Sequence, residues 1–362
     1  MMNKTSKKYT MKTRALFITA VAVFVAASCA QKVSDTTKIT GDLGPGVAKQ
    51  VKFSLREAGI DTTVAVSGGK FNVELPACQT GLVRIAADNI VGSFISDGTP
   101  LTFTLNEDKS FNIVSKYPKV STHTKYDAFQ QKMKDLQKTY EPQIQAAANE
   151  EAEDKLYESY QSDVKDLSLA AIRDNNDNIV AVAAIENLRY LLDTDQLDSV
   201  ITTLGPAAAE APSVKKLTKV IAAKKATEAG MMFADFEVGG NKFSDYVGKG
   251  KYVLVDFWAS WCGPCKAEVP NIKNVYEKYS GNDFEVLGVA VWDKPLATAK
   301  AIKDLELPWN QIVNAQSIPT DIYGIEGIPH IILFGPDGKI VKRNLRGDEI
   351  EAEVAKYVKP VK

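Results

Sequence analysis

Two thiols set two residues apart are the part of this sequence best suited to chemistry. Cys262 and Cys265 stand in Trp258-Ala259-Ser260-Trp261-Cys262-Gly263-Pro264-Cys265. The motif follows an apolar run, Tyr252–Phe257, that reads as a buried strand, and it opens a helical pattern over Lys266–Tyr279. A cysteine at a helix N-terminus faces unpaired N–H groups and the positive end of the helix dipole, and both favour its thiolate. Thiolate is the species that attacks a disulfide sulfur. The two-residue spacing lets the second thiol reach the resulting mixed disulfide and release the reduced product. Cys262 is therefore expected to be the exposed nucleophile and Cys265, one turn in, the less accessible resolving thiol. Other uses of such a pair fit poorly. A structural zinc site needs four ligands and there is no second cysteine pair nearby; haem attachment needs histidine where Lys266 stands. The two histidines, His123 and His330, leave little for a His-built site. No metal and no cofactor are expected.

This stretch resembles the active-site segment of the thioredoxin superfamily, and specifically the TlpA/ResA-like thiol-disulfide oxidoreductases, over roughly residues 230–362. The resemblance implies a redox disulfide Cys262–Cys265 and several supporting roles. Asp256 interrupts a strand where both faces should be buried, and an isolated buried carboxylate tends to keep its proton. An aspartate with water access at a strand end is the blander reading. In thioredoxins the matching aspartate lies beneath the resolving cysteine, which implies proton exchange with Cys265. Glu268 follows Cys265 by three residues on the same helix face; it is either a solvated glutamate or, as the resemblance implies, an acid/base or pKa-tuning group. Pro270 matches the proline that bends this helix in thioredoxins. Ile328-Pro329, within Tyr323-Gly324-Ile325-Glu326-Gly327-Ile328-Pro329-His330, resembles the family's cis-proline loop, which faces the cysteines and pairs with substrate backbone. Trp261, Gly263 and Pro264 join Ile328 and Pro329 as expected substrate contacts; Trp258 is expected in the core, and His330 as a packing or rim residue. A peroxiredoxin-type site would need proline and threonine or serine where Val255 and Ala259 stand.

The elements that must position these groups follow from periodicity. Strands are expected at Tyr252–Phe257, Phe284–Val291 and Ile331–Phe334, with helices at Lys266–Tyr279 and Leu296–Leu305 and a hairpin turn at Gly335–Gly338. The fold class is thus an α/β thioredoxin-like C-terminal domain over 230–362, preceded by a small antiparallel β domain and a helical region. The β domain, 38–118, is read from alternation such as Val51, Phe53, Leu55 and Phe71, Val73, Leu75, and is expected to be a sandwich. The helical region, 119–229, shows apolar steps of three and four, as in Tyr126, Phe129, Met133, Leu136, and is punctuated into about four or five helices. The Ala-rich stretch between Pro206 and Pro212 reads as a loop. Cys78 is expected to be a small buried hydrophobe.

Residues 1–28 read as an address. Five basic side chains precede or flank the apolar run Ala15–Ala27, which suits a secretory signal and is too short to span a bilayer. Ala26-Ala27-Ser28-Cys29 resembles the lipobox of bacterial lipoproteins, implying lipidation of Cys29 and a tether over 29–37; a plain signal peptide cut nearby is the alternative, and Met11 is an alternative start. The 362 residues carry 44 basic and 45 acidic side chains, a net charge of −1; loss of the leader leaves 39 against 45, or −6. Neither value supports nucleic-acid binding.

Together these readings give an expected activity: a membrane-anchored thiol-disulfide oxidoreductase in the cell envelope, facing the periplasm. The Gly-Pro between its cysteines resembles reducing members. Its partners would be disulfide-containing envelope proteins and a DsbD/CcdA-type membrane electron donor. An oxidase or isomerase is the alternative within this chemistry; a partner-binding lipoprotein with vestigial redox activity is the alternative outside it.

Overall fold

A computed structural model describes residues 33–281 and 283–361. The segment expected to be a leader, with its apolar run and Cys29, lies outside the described residues. Among those residues no helix is long and apolar enough to cross a membrane.

The alternating segments form eight strands: β1 (Thr36–Asp42), β2 (Gln50–Leu55), β3 (Ile60–Ala65), β4 (Lys70–Pro76), β5 (Val83–Ala87), β6 (Ile90–Phe94), β7 (Leu101–Leu105) and β8 (Phe111–Ser115). They make two four-stranded sheets, ordered β4-β1-β7-β8 and β3-β2-β5-β6. All pairings are antiparallel except β1 with β7, which is parallel. The alternating apolar residues of the two sheets share one core, in which Phe53, Phe71, Phe94 and Phe103 pack edge to face or tilted. Cys78 follows β4 and is half-buried, with a free thiol. The expected full burial is not reached because the chain has left the strand there, with its N–H donated to Ser96 O at 2.6 Å.

Six helices follow: α1 (Thr122–Gln145), α2 (Glu150–Asp174), α3 (Ile179–Leu188), α4 (Thr194–Ile201), α5 (Pro206–Ala209) and α6 (Pro212–Ala226). Side-chain caps start four of them: Ser121, Asn149, Asn178 and Asp193, the last in a capping box with Gln196. α3 is apolar on nearly every side and is the buried centre of this region. The stretch read as a loop at Pro206–Pro212 is instead the turn α5 and the start of α6. Both prolines occupy first-turn positions, where the missing N–H costs nothing and the fixed φ favours a helix.

The remaining chain forms β9 (Glu237–Val238), β10 (Asn241–Lys242), β11 (Tyr252–Trp258), α7 (Gly263–Tyr279), β12 (Phe284–Ala290), α8 (Pro295–Asp304), β13 (Asn310–Ile312), α9 (Ile318–Tyr323), β14 (His330–Phe334), β15 (Ile340–Leu345) and α10 (Asp348–Val354). The main sheet runs β13-β12-β11-β14-β15, with β11 parallel to β12 and antiparallel to β14. β11 is central, so its two faces are both covered. Val253, Val255 and Phe257 join one core with Phe243, Tyr323 and Phe334. Leu254, on the other face, packs with Ile272 and Val275 of α7 and Ile350 and Val354 of α10. Pro270 lies inside α7, which continues through it.

Candidate functional site

Alternation along β11 decides where Asp256 points. It stands between Leu254, packed on α7, and Trp258, packed with Cys262 and Cys265, so it shares their face of the sheet. Asp256 is only 4% exposed, and its Oδ1 makes no hydrogen bond. Burial pushes its pKa up to about 7, against the opposing pull of Arg346 and with a further push from Glu268. The carboxyl therefore lies buried on the cysteine side of the sheet, where desolvation favours its protonated form.

β11 ends at Trp258, and three residues of loop deliver Cys262 as the N-cap of α7, with Gly263 and Pro264 in the first turn. Cys262 Sγ accepts the N–H of Cys265 at 3.1 Å, the contact that would hold a thiolate at this position. A disulfide joins Cys262 to Cys265, whose Cα atoms are 5.3 Å apart. The expected contrast between an exposed and a buried thiol is not present in this oxidised state: Cys262 is 3% exposed and Cys265 1%. Ile328 closes over the pair, its carbonyl 3.7 Å from Cys262 Sγ, and Trp258, Ala259, Ala290 and Ala301 pack around it.

The Ile328-Pro329 bond is cis, and this loop comes to the cysteines from the N-terminal end of β14. Arg346 donates to the Pro329 carbonyl and, in charge terms, faces both Asp256 and Glu268. Glu268 is half-buried and accepts from Gly347 N at 3.1 Å and Asn271 Nδ2 at 2.9 Å. It thus ties α7 to the turn before α10 while raising the proton affinity of Asp256. Trp261 is 60% exposed, its indole donating to Trp292 O at 3.0 Å; Trp258 is buried and donates to Gln311 Oε1 at 3.1 Å. His330, on the rim, is held neutral: burial and the cations Arg343, Arg346 and Lys224 push its pKa down to about 3.

Three positions here carry no motif and were missed by sequence reading. Arg346 joins the loop proline to the two carboxylates. Gln311 leans into the space left by the side-chain-less Gly288, the cross-strand neighbour of both Gln311 and Asp256. Asp293, 6% exposed, accepts from Ser260 N, Ser260 Oγ, Lys294 N and Thr298 Oγ1, and so anchors the loop between β11 and Cys262. Only the position of Asp293 just after a strand hints at its role. Among the described residues no group of three or more His, Cys, Asp or Glu is placed to hold a metal.

The fold and site together define a thioredoxin-like domain with a redox-type cysteine pair. Residues 223–343 match the AhpC/TSA family. Thiol-disulfide oxidoreductase ResA from Geobacillus thermodenitrificans is 27% identical over 144 residues, 40% of this chain and 81% of that protein. ResA from Bacillus subtilis is 29% identical over 114 residues, 32% of this chain and 63% of that protein. Among solved structures, the thioredoxin domain of a thiol-disulfide oxidoreductase from Bacteroides vulgatus is 34% identical, covering 36% of this chain and 96% of that one, with a TM-score of 0.32. Residues 223–343 thus form a thioredoxin-like domain that matches the AhpC/TSA family, and the curated relatives that align with it are named thiol-disulfide oxidoreductases.

Proposed function

We propose that this chain is a lipid-anchored reductase of disulfides in other envelope proteins, working through Cys262 and Cys265. The observation that carries this is the Cys265 N–H aimed at Cys262 Sγ at 3.1 Å, with the Ile328–Pro329 loop beside it and Asp256 buried behind. In the reduced protein, Cys262 thiolate attacks one sulfur of a substrate disulfide. A mixed disulfide forms, and the other substrate sulfur leaves as thiolate and takes up a proton. Cys265 then gives its proton to Asp256, attacks Cys262 Sγ and expels the second substrate thiolate. The products are a substrate dithiol and the Cys262–Cys265 disulfide. Backbone groups at Ile328 and the cis-proline align the substrate, Trp261 and the Gly263-Pro264 turn offer the contact surface, and Glu268 with Arg346 sets the charge around Asp256. Two electrons must then return from a membrane dithiol carrier of the DsbD/CcdA type.

Export and anchoring rest on residues 1–28 and Cys29. The Gly-Pro dipeptide between the cysteines supports the reducing direction. A redox titration tests that direction: a potential near the DsbA extreme of about −120 mV would overturn it. Cys262→Ser should abolish reduction of protein disulfides, and Cys265→Ser should accumulate mixed disulfides whose partners mass spectrometry can identify. Full turnover in both variants would refute the mechanism. Radiolabelled fatty acid should enter the wild-type chain in cells and not Cys29→Ala.

A further inference from the structure

The loop carrying the cis-proline is gripped from outside the thioredoxin-like domain. Glu326, three residues before Pro329, receives Arg189 Nε at 2.9 Å and Lys224 Nζ at 2.5 Å. Arg189 follows α3 and Lys224 lies on α6, so both cations come from the helical region. The cluster is sheltered, with Glu326 22%, Arg189 23% and Lys224 35% exposed at the side chain. Burial alone would raise the Glu326 pKa, yet the hydrogen bonds from Lys224 and Arg189 hold it below the usual range.

Two further ties act on the same segment. Gly324 has φ +62°, and a Cβ there would lie 2.7 Å from Val220 O and 2.9 Å from Lys224 N, so α6 presses its backbone on the start of the loop. Arg343 of β15 donates to Thr227 O at 2.8 Å beyond α6 and to Tyr323 O at 2.5 Å at the end of α9. Between these elements runs a groove of about 590 Å³, lined from the helical side by Thr194, Lys224 and Glu228 and on the other side by the loop itself.

We infer that the helical region is part of the redox site: the Arg189–Glu326–Lys224 cluster positions the Gly324–Pro329 loop, and Thr194, Lys224 and Glu228 form the far wall of the groove that receives the substrate segment next to its disulfide. Glu326, Arg189 and Lys224 are positioning residues, since none touches the sulfurs. This rests on the proposed reduction of protein disulfides, and it assigns to residues 189–228 a part in recognising the protein substrate.

The test uses the full chain with insulin as the probe disulfide protein and dithiothreitol as the electron source. Arg189→Met and Glu326→Gln should each raise KM for insulin three- to tenfold with kcat changed less than twofold. Among the amides of 325–328 and 330, that of Ile325, which donates to Thr320 O at 2.8 Å, should lose hydrogen-exchange protection. The rate at which dithiothreitol opens Cys262–Cys265, and its redox potential, should stay within twofold and unchanged, respectively. Arg189→Lys, which keeps the charge, should recover most of the KM. Unchanged exchange at Ile325, unchanged KM, or an equal loss in dithiothreitol opening would each overturn the inference. If wild type failed to reduce insulin at all, the proposed function would fall. The clamp would then stand or fall on the exchange of Ile325 alone.

Discussion

A single buried carboxyl, Asp256, stands on the cysteine side of the central strand. Asp256 keeps its proton up to about pH 7 in the folded chain, whereas an unfolded aspartate releases it near ~3.9. Between those values the native state binds the extra proton, so the contribution of Asp256 to stability is fully present below about pH 4, falls as pH rises towards 7, and levels off above. Asp256→Asn should abolish that slope and raise stability at pH 8 by on the order of 2–4 kcal/mol. Urea unfolding at pH 5 and pH 8 measures it; an identical slope in the variant would mean that Asp256 does not titrate in this range. Under the proposed mechanism the same variant should resolve mixed disulfides slowly, because Cys265 would lose its proton acceptor. Asp256 could be singled out in the sequence because a charge in an apolar run demands a reason. Arg346, whose charge opposes the shift, could not, since an arginine near a turn is ordinary and its partners are far away in the chain.

At the scale of elements, the placement of the cysteines depends on how the loop between β11 and α7 is held. Asp293 takes four donors there, two of them from Ser260. Burial works against its charge, but those donors outweigh it and keep its pKa below the usual carboxylate range. Its contribution is therefore present above ~3.9 and lost as pH falls through the lower folded value. Asp293→Asn should cost about 1–3 kcal/mol at pH 7, and the deficit relative to wild type should shrink in melts at the acid end. Gly324→Ala should cost a similar ~1–3 kcal/mol or more, from its left-handed backbone and the approach of α6. Strong period and motif made β11, α7, β12, β14 and the proline loop legible in advance. The three-residue β13 and six-residue α9 carry too few residues to show a period, and α5 was hidden by flanking prolines that read equally well as loop punctuation.

Across the whole molecule, the boundary expected at residue 230 separates groups that the fold keeps together. Arg343 reaches back to Thr227, and Gly324 and Glu326 lean on α6. A chain beginning at Pro212 should therefore melt several degrees above one beginning at Gly230, by calorimetry on the two fragments. Equal midpoints would show that α6 adds nothing to the C-terminal fold. Composition signalled the change of texture near 230, but a contact between an arginine and a backbone carbonyl more than a hundred residues away leaves no periodic trace.

The closed cover over the sulfurs also constrains the order of events in turnover. With Cys265 1% and Cys262 3% exposed, and Ile328 O 3.7 Å from Cys262 Sγ, the pair offers a partner protein little open surface. In the proposed dithiol exchange, the molecule that delivers electrons and the one that receives them would meet this same small surface and use it in turn. Neither can be seated while the other is bound, and each must depart before its counterpart arrives. Steady-state rates should follow a ping-pong pattern, with parallel double-reciprocal lines. Each partner at high concentration should inhibit the half-reaction of the other.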